Sequence, residues 1–215
     1  MTNTHPDKSV AVHLFFVAEG CSVADAFICL AANQTASFNV SDVDPGIKGY
    51  AIAIATDAAT GCPINFNHLI GDETIKLASG HVADLAAISV SALYQGAFPG
   101  CNPNTAIATL RFDNVQYNAL PKLLAASHLR SSQDGDTNFL IVNAIGGSLA
   151  VGLTPIGQLT GNVYSDAADK AAFMINANCQ FRGSVSDPRI FPLIPINITL
   201  ATLIPAGRTG WLNLS

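Results

Sequence analysis

The sequence predicts an all-β protein, an antiparallel β-sandwich built as two related lobes with one short helix. Three observations carry this. Short segments of alternating bulky and small residues recur between Gly, Pro, Asn and Asp turn signals, and convincing helical periodicity is scarce. Hydrophobic residues make up 49% of the 215 residues and charged ones only 12%, where ordinary globular chains carry about 25% charged. The stretch from Leu30 to Val40 returns in degraded form from Ile204 to Leu214: Ala32 meets Ala206, Thr35 meets Thr209, Asn39 meets Asn213, and the bulky pairs Leu30/Ile204, Phe38/Leu212 and Val40/Leu214 coincide. Both copies read as a turn feeding a strand.

Taken in order, Ser9 to Val17 is a strand bulky on both faces and hence buried on both. Asp25 to Leu30 and Thr35 to Val40 supply two more, and Asp42 to Gly46 is a strong turn. Tyr50 to Thr56 alternates bulky residues with alanine, giving one bulky and one flat face. Gly61-Cys62-Pro63 turns the chain, Ile64 to Ile70 reads as a strand and Thr74 to Leu77 as a short one. Val82 to Tyr94 starts as a loop or short helix and ends as a strand. The Pro/Gly segment Gly96 to Asn104 separates a lobe 1–98 from a lobe 99–215. In the second lobe Thr105 to Phe112 alternates as a strand, and Ala119 to His128 is the short helix, with Pro121 tolerated in its first turn. Phe139 to Asn143, Gly146-Gly147 and Leu149 to Leu153 read as a hairpin, followed by a strand or turn at Gly157 to Tyr164. From Phe173 to Arg182 the odd positions face inward and the even ones outward.

Composition excludes several classes. A mean hydropathy of +0.36 would suit a membrane protein, yet Phe191 to Ala206, the most apolar stretch, is cut by Pro192, Pro195 and Pro205 and falls short of the ~20 residues a bilayer needs. The net charge of −5 arises from scattered acids without a basic run, which argues against nucleic acid and anionic membranes. Polar Met1 to Lys8 has no apolar segment after it that would make a signal peptide, so the chain is intracellular or a mature form with a start Met in place of its signal. Few lysines, many Asn and Thr, and cysteines placed in turns favour an oxidising, extracellular setting. Of the five cysteines, Cys21 and Cys29 could bridge locally and Cys62 could pair with Cys101, leaving Cys179 as the free thiol.

No arrangement specifies catalysis. The G-x-S-x-G elbow is absent, and no spacing singles out a Cys/His pair. His68, Asp72 and Glu73 form the densest ionisable cluster, readable as acid/base machinery or as a strand end with a solvated acidic tip. His13 lies in an apolar strand as a core or interface residue, while His81 and His128 read as solvated. Asp134, Asp136 and Asn138 place oxygen ligands at alternate positions, as a calcium loop opens, but Ile145 occupies the place of the closing Glu; a polar hairpin approach is the competing reading. Asn33, Asn39 and Asn197 match the N-glycosylation pattern. Trp211 beside Arg208 offers either a sugar-stacking platform or an ordinary core residue.

The segments Cys29 to Thr35, Ile64 to Glu73 and Ile204 to Trp211 resemble stretches in exported bacterial β-sandwich surface proteins of unknown function. The resemblance implies export and a surface location, and carries over no catalytic residue. The expectation is therefore a non-enzymatic extracellular structural protein, a self-assembling subunit of a filament or surface layer that polymerises through edge or terminal strands, with Thr2 to Val17 and Thr199 to Ser215 as the contact segments. Very few strands carry the Lys or Glu gatekeepers that protect an edge. The alternative is a monomeric secreted binding module for carbohydrate or a surface partner, stabilised by calcium. No other cofactor is expected.

Overall fold

The computed structural model describes all residues except 44, 45, 47, 77–79, 81, 106, 107 and 149–152. The chain is all-β, in antiparallel sheets. It forms two compact units, Met1–Ala18 with Ser22–Leu120 and Gly146–Leu153, and Glu19–Cys21 with Pro121–Ile145 and Thr154–Ser215. The position 98/99 lies within the first unit, where Phe98 packs edge-on against Tyr94 at 5.0 Å and also touches Tyr117.

The first unit contains β1 (Thr2–Asn3), β2 (Val10–Ala18), β3 (Val23–Leu30), a helical turn α1 (Val40–Val43), β4 (Gly49–Thr56), β5 (Leu69–Ile70), β6 (Asp72–Lys76) and β7 (Val82–Ala86). β2 is the centre of a three-stranded sheet ordered β3-β2-β4. Val10, Val12, Leu14 and Phe16 bury one of its faces with Leu30 and Ala55, and Phe15 and Val17 on the other face are buried too, as the bulky pattern of this strand requires. β6 and β7 make a two-stranded ribbon, with Thr74 opposite Asp84 and their side chains 2.7 Å apart. The helical alternative for the start of Val82 to Tyr94 is thus overturned: a five-residue helix forms too few hydrogen bonds to repay nucleation, whereas the ladder to β6 satisfies the same backbone. Of Ile64 to Ile70 only Leu69 and Ile70 enter a strand.

The repeated segment is duplicated as a turn and diverges as a strand. Ala31 C=O accepts from Gln34 N–H at 3.2 Å, and at the aligned positions Pro205 C=O accepts from Arg208 N–H at 3.0 Å. Asn33 and Gly207, aligned with each other, both have positive φ, 56° and 73°, as the third residue of a type II turn must. Leu30 and Ile204 anchor the two turns with fully buried side chains. Beyond the turn the second copy enters a strand, while the first makes only an isolated bridge from Thr35 to Thr2 before α1, so the strand expected at Thr35 to Val40 is not formed.

The second unit contains β8 (Leu124–Arg130), a 3₁₀ turn (Ser132–Asp134), β9 (Phe139–Asn143), β10 (Gly157–Ser165), β11 (Lys170–Ala177), β12 (Gln180–Ser184), β13 (Leu193–Ile194), α2 (Leu200–Leu203) and β14 (Thr209–Leu214). Five strands form one sheet, β13-β11-β10-β14-β8, and β9 pairs with β12. Its core gathers Val163, Phe173, Ile175, Leu212 and Leu214 from the sheet with Phe181, Phe191, Leu203 and Ile204.

Two expectations are corrected here, and two others fall partly outside the described residues. Ala119 to His128 is not a helix: Leu124–Arg130 is an edge strand paired with β14 from Leu124↔Leu214 to Arg130↔Thr209. A ten-residue helix with a proline near its start is marginal alone, and sheet pairing wins. Of the hairpin expected from Phe139 to Leu153, residues 149–152 lie outside the described residues; β9 pairs with β12, Phe139↔Ser184 to Asn143↔Gln180. Phe173 to Arg182 is two strands, and Gln180, expected outside, is buried with its amide donating to Asn143 Oδ1 at 2.8 Å. Of the expected strand Thr105 to Phe112, residues 106 and 107 lie outside the described residues, and Leu110 makes an isolated bridge to Gly147.

Candidate functional site

β2 pairs on one side with β3, from Val10↔Leu30 to Val17↔Val23, and on the other with β4, from Ala11↔Thr56 to Ala18↔Gly49. Antiparallel register places paired residues on one face, so His13 and Phe15 of β2 share a face with Asp25, Phe27 and Cys29 of β3 and with Ile52 and Ile54 of β4. His13 stands at its centre. Its ring lies 3.8 Å from that of Phe27, nearly parallel, and 3.9 Å from that of Phe15. Its Nε2 donates to Asp25 Oδ2 at 2.8 Å. His13 is 8% exposed, whereas Phe27 on the neighbouring strand is 56% exposed, so the face opens towards the β3 edge.

β3 and β4 are each eight residues long and, among the described residues, pair in ladders only with β2. Their outer edges therefore carry alternate N–H and C=O groups without a strand partner, except where Ala55 C=O, near the end of β4, accepts from Ile64 N–H at 2.9 Å. Natural edges are blunted by charge, proline or bulges. Neither strand contains proline, both ladders are regular, and the one charged side chain in the two strands, Asp25, is already held by His13. The ionisable group of β4, the Tyr50 phenol, is pushed up to about 12 by burial and stays neutral. Gly49 opens β4 where its Cα meets the Val17 carbonyl, and a Cβ there would overlap it.

Of the segments singled out from sequence as contacts, Thr2 to Val17 holds β1 and all of β2 but its last residue, and Thr199 to Ser215 holds β14; β2 and β14 are each paired on both sides within their sheets. Strands bulky on both faces belong inside a sheet.

The three candidate calcium ligands are engaged by two protein partners, Gly207 and Arg130. Asp134 accepts from Gly207 N–H with both oxygens, at 3.0 and 2.9 Å. Asp136 pairs with Arg130 at 3.4 Å. Asn138 brackets the same residue, accepting from its N–H at 3.0 Å and donating to its carbonyl at 2.6 Å. Among the described residues no group of three or more His, Cys, Asp or Glu could hold a metal. His68 packs against His5 and Phe66, with ring centres at 4.6 and 5.3 Å, while Asp72 and Glu73 enter β6; burial raises the Glu73 carboxyl. His81 lies outside the described residues. Asn33, Asn39 and Asn197 are exposed.

The cysteines pair as Cys62–Cys101 and Cys21–Cys179, with Cys29 free and exposed. The local bridge Cys21–Cys29 is excluded because β3 lies between them, and an extended strand of this length holds its ends roughly 20 Å apart; a disulfide needs Cα atoms within about 7 Å. Buried Cys179 is thus bonded. Trp211 is neither simply core nor paired with Arg208: it stacks on Tyr164, while Arg208 Nε donates to Asp166 at 2.6 Å. Neither the Tyr164 partner nor the His13–Asp25 contact was identifiable from sequence, since both follow from strand register.

No family model, curated protein or solved structure matches this chain. No helix among the described residues is long and apolar enough to cross a membrane.

Proposed function

We propose that this chain is a non-enzymatic structural subunit that polymerises at the cell exterior, as a filament or surface layer, by edge-to-edge pairing of its β3-β2-β4 sheet. The observation that carries the reading is a sheet with two regular edges of equal length and no unpaired charge. Because β3 and β4 are both antiparallel to β2, they run parallel to each other. A second copy displaced along the sheet brings its β4 beside the first copy's β3, and the operation repeats without closing, which is the condition for a fibre. Main-chain pairing of this kind is strand addition with a second copy as the ligand. Two disulfides are what an oxidising exterior favours, and the resemblance of Cys29 to Thr35 and Ile204 to Trp211 to exported surface proteins supports the same setting.

Light scattering and negative-stain microscopy of the native protein test this against Ala51→Lys and Ala53→Lys. Both alanines are exposed on β4, so lysine is accommodated by the subunit and opposes only a neighbouring strand. Regular polymers from the native chain and monomers with unchanged circular dichroism from the variants are expected. A native chain that stays monomeric at every concentration contradicts the reading.

A further inference from the structure

The second unit carries a feature that assembly leaves unused. A shallow depression of about 220 Å³ is lined by Ser127, His128, Asp166, Thr209, Gly210 and Trp211. We propose that it binds one neutral pyranose ring of a saccharide, stacked on Trp211 and held through its hydroxyls by Asp166 and the Ser127–His128 pair. The proposal does not rest on the assembly reading.

The indole is prepared for stacking. Trp211 sits opposite Tyr164 in the β14–β10 register, and the two rings stack at 4.1 Å with 9° between their planes. Tyr164 covers one face of the indole and does not line the depression, so the depression meets the remaining surface of Trp211, which is 41% exposed. A ring fixed in this way loses little freedom when a ligand arrives.

The opposite wall is made by a bulge. β8 pairs Ala126 with Leu212 and Leu129 with Gly210, so Ser127 and His128 together face Trp211 alone. His128 takes φ 63°, left-handed backbone that a non-glycine residue occupies at a cost and that concentrates at ligand sites. Ser127 Oγ and His128 Nδ1 lie 3.1 Å apart, offering a donor and acceptor couple at the rim.

The floor is a hydrogen-bond acceptor. Arg208 Nε and Thr209 N–H both donate to Asp166, and the Arg208 hydrogen bond above all holds its carboxyl below the ordinary range. A carboxylate has about four acceptor sites, so two remain for a pair of adjacent hydroxyls. A pyranose offers both an apolar C–H face for the indole and such a hydroxyl pair. Arg208 balances the Asp166 charge from outside the lining of the depression, so the remaining carboxylate acceptor sites take hydroxyl donors and find none in the oxyanion of a phosphate, sulfate or uronate. One aromatic wall is fewer than the cage that holds a quaternary ammonium. The volume is below the ~300–1,000 Å³ of pockets for drug-sized ligands and suits a single ring.

Trp211 is the chain's one tryptophan, so its emission reports the site directly. The native protein is titrated with the methyl glycosides of glucose, galactose, mannose and N-acetylglucosamine, and with glucuronate and choline. A saturable emission change with at least one neutral glycoside and none with glucuronate is expected. Both His128→Gly, which relieves the left-handed backbone and keeps the strand, and Asp166→Asn should weaken that binding at least tenfold while retaining native circular dichroism. No response to any neutral glycoside overturns the proposal, as does a response to choline alone or affinity unchanged in both variants.

Discussion

Asn3 is 0% exposed, and its side chain is the polar centre that fastens the chain's start to the end of β3. Its amide donates to the carbonyls of Lys8 at 2.8 Å and Ala31 at 2.9 Å, and its Oδ1 accepts from His5 N–H at 2.9 Å. Replacing it by alanine removes three short hydrogen bonds, from the Lys8 and Ala31 carbonyls and the His5 N–H. At about 1 kcal/mol net for each bond, Asn3→Ala should cost about 3 kcal/mol. Asn3→Asp keeps the acceptor for His5 but sets a carboxylate oxygen against two carbonyls, so burial and repulsion raise its pKa in the folded state. Stability is then lost as pH rises from the unfolded value of about 3.9 through the raised one, and the aspartate variant should be less stable at neutral pH than in mild acid. Urea unfolding followed by circular dichroism at both pH values, with amide exchange of β1 and β3, measures these effects. An alanine variant within about 0.5 kcal/mol of the native chain, the ordinary range for surface sites, would refute the reasoning.

The cross-links should rank by loop length. Closing 158 residues between Cys21 and Cys179 constrains the unfolded chain by about 5 kcal/mol, and closing 39 between Cys62 and Cys101 by about 4 kcal/mol; paired serine variants compared in urea should show the first loss larger, and an equal or reversed order contradicts the entropic account. Hydrogen bonds lower four carboxyls below the ordinary 3.8: Asp57 by Thr60, Asp113 by Gln116 and Val115, Asp166 by Arg208 and Asp187 by Arg189. Their contribution is complete above that value and is lost as pH falls through the lowered ones, so the urea midpoint should fall below about pH 4, partly offset by Glu73, whose raised pKa favours folding in acid. A midpoint flat to lower pH contradicts this. Because both Asp134 oxygens already accept from Gly207, calcium should leave the melting temperature unchanged relative to chelator, whereas Asp134→Ala should lower it; a rise with calcium that Asp134→Ala abolishes would restore the calcium loop.

The elements legible in the sequence are those fixed by local pattern. β2 is bulky on both faces and lies inside a sheet, β4 alternates with alanine and sits at an edge, β11 alternates from Phe173 to Ala177, and Cys62 and Cys101, each in a Pro/Gly turn, bridge. The turn after Leu30 and its counterpart after Ile204 share a hydrogen bond and a positive φ because Asn and Gly tolerate that backbone. What stayed hidden depends on long-range pairing. Leu124–Arg130 has a local helical composition that β14 overrides, and β9 finds a partner 37 or more residues away. Cys179 and Asn3 have no local signal for their partners either. The candidate edges were half legible: the lack of charge on β4 is in its residues, but only the register with β2 shows that this strand and β3 are the outer strands of their sheet, and that Asp25 is hydrogen-bonded to His13. A deletion of the first 15 residues would remove β1 and most of β2, and so could not report on assembly separately from folding.

In the proposed assembly the outer backbone groups of β3 and β4 pair with a neighbouring copy. Amide hydrogen exchange of the native chain, compared between dilute and concentrated solution, reads this at the strands themselves. Slower exchange on concentration within Val23–Leu30 and Gly49–Thr56, with β10 and β11 unchanged, is the predicted result. Exchange in those two strands that does not depend on concentration, while polymers are visible, would place the contact elsewhere and contradict the account.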